Sequence, residues 1–352
     1  MKRMISVLVA GCLLHAAVCA QSSNSKTGTS AAIFLEIPVG ARGIGMGNAF
    51  VSIANDVTAL YWNPAGAARL DLNEASGSHT SWIAGTTFSF AGLVLPLGSF
   101  GTLGVSYTQL SMDDMKVRTV QQPEGTGEYF SAGDMAIGLT YARQLSDRFS
   151  IGITAKYIQQ TIWHESANAM AVDVGTIFRT DLFGGMTIGA TLSNFGTSMT
   201  MAGRDARQFI SVDPTQMGTN SQIPAAIEFD SWGLPLMFQF GISTTPVKTD
   251  EFAWVVAVDA LHPSDDFETV NIGTELGYRN FLFLRGGYSS IFLQHGDYAS
   301  SAQEGAEGGL CVGFGLTSDL FSTESIRARF DYAYRNMGRL ENIQVITFGV
   351  QF

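Results

Sequence analysis

The sequence predicts an all-β chain, a transmembrane antiparallel β-barrel of about fourteen strands. Three observations carry that expectation. An export signal opens the chain; the remainder is apolar yet has no stretch long enough for a membrane helix; and its apolar residues recur with a period of two.

Residues 1–20 read as a signal peptide. Met1-Lys2-Arg3 is basic, Ile5 to Val18 is nearly unbroken apolar sequence, and Val18-Cys19-Ala20 offers small residues for cleavage before Gln21. A lipoprotein reading would cut before Cys12, in Val9-Ala10-Gly11-Cys12. That leaves a very short apolar region and wastes Leu13 to Ala17, so cleavage after Ala20 is the better fit. Of the 3 cysteines only Cys311 then survives, reading as a small residue packed on a strand, and no internal disulfide can form.

In the whole chain 46% of residues are hydrophobic and 14% charged, whereas roughly a quarter are charged in an ordinary soluble domain. After the signal no apolar run approaches the length of about 18 residues that a membrane helix needs. An exported, apolar chain without spanning helices is expected in the outer membrane of a Gram-negative-type bacterium, crossing it with strands. The net charge of -11 argues against nucleic acid as a partner.

Barrel strands turn apolar residues to lipid and polar or small ones to the lumen. Phe149, Ile151, Ile153, Ala155 and Tyr157 alternate with Ser150, Gly152, Thr154, Lys156 and Ile158. Met186, Ile188, Ala190 and Leu192 alternate with Thr187, Gly189, Thr191 and Ser193, and Val270, Ile272, Thr274, Leu276 and Tyr278 with Asn271, Gly273, Glu275, Gly277 and Arg279. Leu310, Val312, Phe314 and Leu316 stand against Cys311, Gly313, Gly315 and Thr317. In the run from Ile326 to Arg335, Ala328, Phe330, Tyr332 and Tyr334 oppose Arg327, Arg329, Asp331 and Arg335. The expected lumen-facing charges are therefore Lys156, Glu275, Arg279, Arg327, Arg329, Asp331 and Arg335. A soluble sandwich also alternates, but its outer face would be rich in charge, whereas the minority face here is mostly Gly, Ser and Thr.

The connections give a second test. Short links are expected at 97–101, 144–147, 180–184, 245–250, 279–280 and 317–323, with longer external loops at 111–132, 161–169, 194–233, 262–267 and 289–308. That is the alternation of a barrel with both ends periplasmic. The last strand ends the chain on Phe348, Val350 and Phe352 and resembles the C-terminal signal read by the barrel-assembly machinery.

Upstream, Gly43, Gly45 and Gly47 stand at alternate positions. A dinucleotide site would need a preceding buried strand, a following helix and an acidic ribose partner, none of which the sequence supplies. The glycines read instead as places where backbone passes close to backbone in a crowded lumen. Ala49 to Tyr61 is apolar enough to pack and carries Asn55, Asp56 and Thr58 for polar contacts. Asn63 can cap a short helix that starts at Pro64 and ends near Arg69.

The stretch Pro38-Val39-Gly40-Ala41-Arg42-Gly43-Ile44-Gly45-Met46-Gly47-Asn48-Ala49-Phe50-Val51, with Asn55-Asp56-Val57-Thr58-Ala59-Leu60-Tyr61-Trp62-Asn63-Pro64-Ala65-Gly66, resembles the N-terminal signature of the PorV/PorQ family. The resemblance covers residues 31–110, including Ser78-His79-Thr80-Ser81-Trp82 and Gly92-Leu93-Val94-Leu95-Pro96-Leu97-Gly98; beyond that it is one of architecture. It implies a FadL-like outer-membrane barrel, with residues 21–71 folded into the lumen of a barrel formed by 72–352. The plug motif would be Gly40, Arg42, Gly43, Gly45, Gly47, Asp56, Trp62, Asn63 and Pro64, with Arg42 and Asp56 pairing to wall residues such as Arg327, Asp331 or Glu275.

Motifs for chemistry are missing. His79, His164, His262 and His295 are scattered, no HExxH or paired Cys/His spacing occurs, and no G-x-S-x-G is present. Asp113-Asp114 and Asp265-Asp266 read as solvated loop tips rather than calcium ligands. A non-enzyme with no catalytic residues, metal or cofactor is expected. Two functions from different classes stay open. The family resemblance implies type IX secretion or surface assembly, with translocon subunits or cargo C-terminal sorting domains as partners and the rim carrying Phe209, Ile210, Met217, Ile223 and Trp232 as the binding surface. The FadL-like fold implies passive uptake of hydrophobic small molecules through a pocket lined by Met199 and Met201 or Phe281 and Phe283. Either protein would sit in outer-membrane lipid.

Overall fold

The computed structural model describes residues 28–182, 185–211, 215, 222–292, 309–318, 326–338 and 340–352. The expected signal peptide, Met217 and His295 lie outside the described residues.

Fourteen long antiparallel strands form one closed wall. They are β1 (Glu74–Ser81), β2 (Thr87–Pro96), β3 (Thr102–Ser111), β4 (Ala132–Ser146), β5 (Phe149–Ile162), β6 (Glu165–Thr180) and β7 (Met186–Gly196). The second half is β8 (Met237–Lys248), β9 (Phe252–Pro263), β10 (Thr269–Tyr278), β11 (Leu282–Phe292), β12 (Leu310–Thr317), β13 (Arg327–Arg335) and β14 (Ile343–Gln351). Each strand pairs with its sequence neighbours, and β1 closes on β14 with Glu74 opposite Gln351 and Ser81 opposite Gln344. Closure leaves no backbone edge to be satisfied inside the membrane, where no water could do so.

The alternation sets the two faces. On β13, Asp331, Ala333 and Arg335 are buried toward the lumen while Phe330 is exposed outward; on β14, Val345 and Thr347 face in, and Ile346 and Phe348 face out. Turns such as 97–101, 147–148 and 249–251 lie at the end shared with the C terminus, and loops such as 112–131 and 197–236 at the other. Short turns and long loops mark periplasmic and external ends respectively.

Two expected loops differ. Residues 161–169 are mostly strand: β5 and β6 run 14 and 16 residues and join through Trp163 and His164 alone, Trp163 having a left-handed φ of 52°. Gln159, Gln160 and Thr161 are polar on both faces, so the period-two signal fades there although the hydrogen-bond ladder continues above the membrane. The loop after β7 starts beyond Gly196, and its described segments are themselves folded. Arg207–Ile210 pairs with Ile223–Ala226, Ala202–Gly203 adds to the end of β6, and Met199 and Trp232 exchange backbone hydrogen bonds of 2.8 and 2.9 Å.

Residues 30–70 fill the lumen. Short helical turns at Ala41–Gly45 and Ala59–Trp62 and 3-10 turns at Ile33–Glu36 and Pro64–Arg69 are joined by compact bends, and their apolar side chains are almost all buried. Asn63 caps the last turn by accepting from the Ala65 N–H at 3.1 Å, with Pro64 supplying a first position that needs no donor. Its amide donates to the carbonyls of Val51, at 2.9 Å, and Thr176 on β6, at 3.1 Å. One residue thus caps a turn and ties two segments together. Asn63→Ala is expected to cost about 1 kcal/mol from the cap and more from the stranded carbonyls, seen as earlier heat-induced loss of the compact gel band.

The orientation has its own test. A single cysteine at Phe209 in the external ribbon should react with a membrane-impermeant maleimide on intact cells, and one at Asp250 in a periplasmic turn should react only after the outer membrane is opened. The native Cys311 is fully buried and silent in both.

Candidate functional site

The lumen holds a ring of alternating charge that joins plug to wall. Arg42, at the first helical turn of the plug, donates from Nε and Nη2 to the two carboxylate oxygens of Glu275 on β10, both at 2.9 Å. Its Nη1 donates to Asn55 at 2.5 Å and to Asp56 at 3.1 Å. From Glu275 the ring continues to Arg285 on β11 at 2.6 Å, then to Asp331 on β13 at 2.7 Å, and on to Arg329 at 2.6 Å. Arg329 lies 3.6 Å from Asp56, which closes the circuit. Three cations thus alternate with three anions, two members from the plug and four from the wall.

Aromatic faces flank the cations. Arg42 lies 5.1 Å from the Phe50 ring centroid, and Arg285 and Arg329 lie 5.6 and 5.9 Å from that of Phe283. The side chain of Arg285 is 0% exposed, so its charge depends wholly on Glu275 and Asp331. Removing one partner from such a pair leaves an uncompensated buried charge and costs about 3–5 kcal/mol.

Other wall groups bind the plug backbone. Asp259 on β9 accepts the N–H groups of Phe50 and Val51 at 2.7 and 2.8 Å through one oxygen. Thr347 on β14 accepts the Ala41 N–H at 2.8 Å. Asn271 on β10 donates to the Asn48 carbonyl at 3.4 Å and accepts the Ser290 N–H at 2.7 Å. The plug's indole, Trp62, donates to the Val39 carbonyl at 2.9 Å.

Alternate glycines allow this approach. A Cβ on Gly43 would sit 2.8 Å from the Trp62 ring. Gly47 has φ of 63°, and a Cβ there would lie 2.6 Å from the Tyr288 nitrogen and 2.8 Å from the Ile272 carbonyl oxygen. Facing it, Gly273 and Gly287 on β10 and β11 could not take a side chain without overlapping Met46 and Gly47. The motif holds backbone against backbone, not phosphate.

The remaining sequence-derived residues fall in several places. Lys156 on β5 is lumenal, 2.8 Å from Asp173 and 2.5 Å from the Asn194 side chain. Arg335 is buried at the external end of β13, whereas Arg327 is exposed at its periplasmic end. Arg279 is not lumenal. Strand β10 ends at Tyr278, and Arg279 occupies the following turn with a left-handed φ of 49°, paired with Glu251 and lying 5.2 Å from the Tyr278 ring centroid. Phe348 and Phe352 face outward, and Val350 is half-buried. Met199 is buried within an apolar cluster that also contains Phe34, Leu35 and Leu234, with Met201 packed against the cluster, so plug and loop side chains share the space a ligand there would need.

Arg285 and Asp259 also belong to the lumen although neither stands among the expected lumen-facing charges. Both carried a usable signal: Leu282 and Leu284 point outward, which puts Phe283, Arg285 and Gly287 inward, and Val256 and Val258 place Ala257 and Asp259 inward by the same rule.

The plug is also stitched to the external loop. Ser30 bridges to Gly233, the Ala31 N–H donates to the Gly233 carbonyl at 2.8 Å, and the Ala32 N–H donates to Gln160 on β5 at 3.0 Å. Above this joint the ribbon Arg207–Ile210 is exposed along its length, with Phe209 69% exposed, and Trp232 is nearly half exposed.

A closed fourteen-stranded wall with an apolar exterior and a hydrogen-bonded lumenal plug defines an outer-membrane β-barrel filled by its own N-terminal segment. The family model described as type IX secretion system protein PorV matches residues 20–200, just over half of the chain, and the protein belongs to that family. Among solved structures, the CymD monoaromatic hydrocarbon channel is similar at 12% identity and TM-score 0.54, over 90% of this chain and 97% of that one. The Pseudomonas putida toluene transporter TodX is similar at 14% identity and TM-score 0.53, over 89% and 97% of the two chains. These likenesses concern the fold. No curated protein sequence matches the chain.

Two predictions test the lock. Glu275→Gln should unseat the plug while the barrel stays folded, raising single-channel conductance and exposing the plug to protease; Arg42→Met in the same chain should recover part of the loss, a coupling of about 1–3 kcal/mol. The second concerns pH. Burial opposes ionisation of Asp56, but Arg42 and Arg329 and the Thr58 hydroxyl outweigh it and hold the carboxyl below its ordinary value of 3.8. Its contribution to seating is therefore complete above 3.8 and is lost only as pH falls through the depressed value. Conductance should stay low down to the ordinary carboxylate range and rise below it, and Asp56→Asn should be leaky at neutral pH.

Proposed function

We propose that this protein is a non-enzymatic component of type IX protein secretion or surface assembly, acting as a sealed outer-membrane platform whose external loop binds translocon subunits or cargo C-terminal sorting domains. The carrying observation is the pairing of a lumen filled by protein with described segments of the external loop that display apolar side chains. Phe209, Ile210, Ile227, Phe229 and Trp232 are all exposed at the external end, and exposed aromatics suit a protein partner. The family membership supports the same reading. Export through the signal at residues 1–20, and assembly through a last strand carrying Phe348, Val350 and Phe352, belong to this proposal.

Uptake of hydrophobic small molecules is the other reading. The FadL-like fold favours it, whereas the Arg42–Glu275 lock and the packed surroundings of Met199 and Phe283 weigh against it. Purification of a tagged copy from native outer membranes in mild detergent, with mass spectrometry of protein and lipid, separates the two. Secretion subunits or sorting domains that co-purify, and that are lost in a Phe209→Ser, Trp232→Ser double variant, are the expected result. A lone barrel holding a stoichiometric apolar solute would overturn the secretion role.

A further inference from the structure

The outer face of the wall carries a notch. A cavity of about 380 Å³ opens sideways on β9, β10 and β11, lined by the side chains of Trp254, Thr274, Leu276 and Leu284 and by the backbone at Arg285 and Gly286, the Arg285 side chain pointing away into the lumen. Cross-strand pairing puts Trp254, Leu276 and Leu284 in one row, with Thr274 and Gly286 in a row two residues nearer the external end. The notch exists because Gly286 has no side chain where its neighbours on the lipid face have large ones.

That glycine has no packing reason. Gly273 and Gly287 face inward and are forced by plug backbone, but a Cβ on Gly286 would meet no atom within 4 Å. Its φ is not positive either. A side chain would fit there and fill the notch.

The lining decides what fits. Trp254 donates from Nε1 to the Thr274 hydroxyl at 2.7 Å, and that hydroxyl donates to the Val255 carbonyl at 3.1 Å. Both polar groups are thus committed to the wall, leaving an apolar surface that can hold hydrocarbon but no headgroup. The depth decides the source. Phe252 and Tyr278, whose rings lie 5.0 Å apart, form the aromatic girdle at the periplasmic interface, and the Trp254 row lies two residues above them. The notch therefore opens into the periplasmic leaflet, where the lipid is glycerophospholipid. At the foot of the same face Arg279 lies over Tyr278 and shares its guanidinium with Glu251. It stands at phosphate height with donors to spare.

We propose that the notch at Gly286 is a lipid-binding site that holds one acyl chain of a periplasmic-leaflet glycerophospholipid, with its phosphate beside Arg279. The site is independent of the secretion role and of the lumenal lock.

Trp254 reports on it. Trp62 is buried in the plug, and Trp82, Trp163 and Trp232 lie at the external end, so Trp254 is the tryptophan within reach of periplasmic-leaflet chains. The purified full-length barrel in detergent would be titrated with phosphatidylglycerol brominated on its acyl chains while tryptophan emission is followed. Quenching that saturates at low lipid fraction in the native protein, is lost in Gly286→Leu and is weakened in Arg279→Gln is expected. Heat-modifiable gel migration would verify that each variant is folded. Quenching that only rises in proportion to lipid, as at an ordinary bilayer contact, overturns the proposal, and so does a saturable component that Gly286→Leu leaves intact. A second polypeptide caught by a photo-crosslinker at Leu284 in native membranes would also overturn it, since a protein would then fill the notch.

Discussion

Everything inside the barrel depends on the contact between Arg42 and Glu275. In a lumen shielded from water a lone guanidinium or carboxylate is costly, and neither can be satisfied by the apolar plug or by the Gly, Ser and Thr surface around it. The two-pronged geometry fixes the plug in rotation as well as depth, because a bidentate pair is directional where a single charge is not. Asp56 and Asn55 hold the other edge of the same guanidinium, so the loop from Phe50 to Val57 is placed by that one residue. Asp259 then fixes the loop's start by accepting two backbone N–H groups.

Sterics and electrostatics have to agree for that contact to form. The ring closes only if plug backbone comes within van der Waals distance of strands β10 to β12, and this is where both sides give up side chains. Gly45 faces the Gly313 backbone, and Gly47 lies on Gly287 and the Ile272 carbonyl. The high glycine content of the chain is thus partly a consequence of sealing a narrow barrel with protein: a wall lined by larger residues would hold the plug off and leave Arg42 short of its carboxylate.

The wall was legible because period-two alternation survives wherever lipid demands apolar residues on one face. Strand number, the inward set on β13 and the Asn63 cap all follow from residues read in order. Legibility failed above the membrane, where that demand ends. Gln159 to Thr161 pair as strand without a polarity pattern, and the pairing of Arg207–Ile210 with Ile223–Ala226 is one that no periodicity records. Parity carried one residue past the end of β10 puts Arg279 in the lumen, whereas it stands in the turn that follows. Arg285 was missed although its parity was plain, since it stands beside Leu284 and two glycines in a run that reads as apolar. That Arg42 pairs with Glu275 rather than Asp331, and Asp56 with Arg329 rather than Arg327, depends on close approaches between segments distant in sequence that no local signal records.

The ring's composition bears on whether the seal is permanent. The wall contributes Glu275, Arg285, Asp331 and Arg329, two charges of each sign, and the plug contributes Arg42 and Asp56, one of each. Separating them opens the circuit at two places but leaves each half neutral, with the wall still a continuous chain of pairs. The penalty is then the loss of the Arg42–Glu275 and Arg329–Asp56 contacts, not the exposure of a net buried charge. A plug bearing only cations against an anionic wall would be far harder to withdraw. The joint at Gly233 ties the first plug residues to the external loop, so a load on that loop reaches Ala31 and Ala32 before it reaches Arg42. The segment from Phe34 to Gly40 between them is held by burial of Phe34, Leu35, Ile37 and Val39 and by the Trp62 hydrogen bond to the Val39 carbonyl. The chain therefore combines a register fixed by directional charge contacts with a separate hydrogen-bonded connection to its external loop.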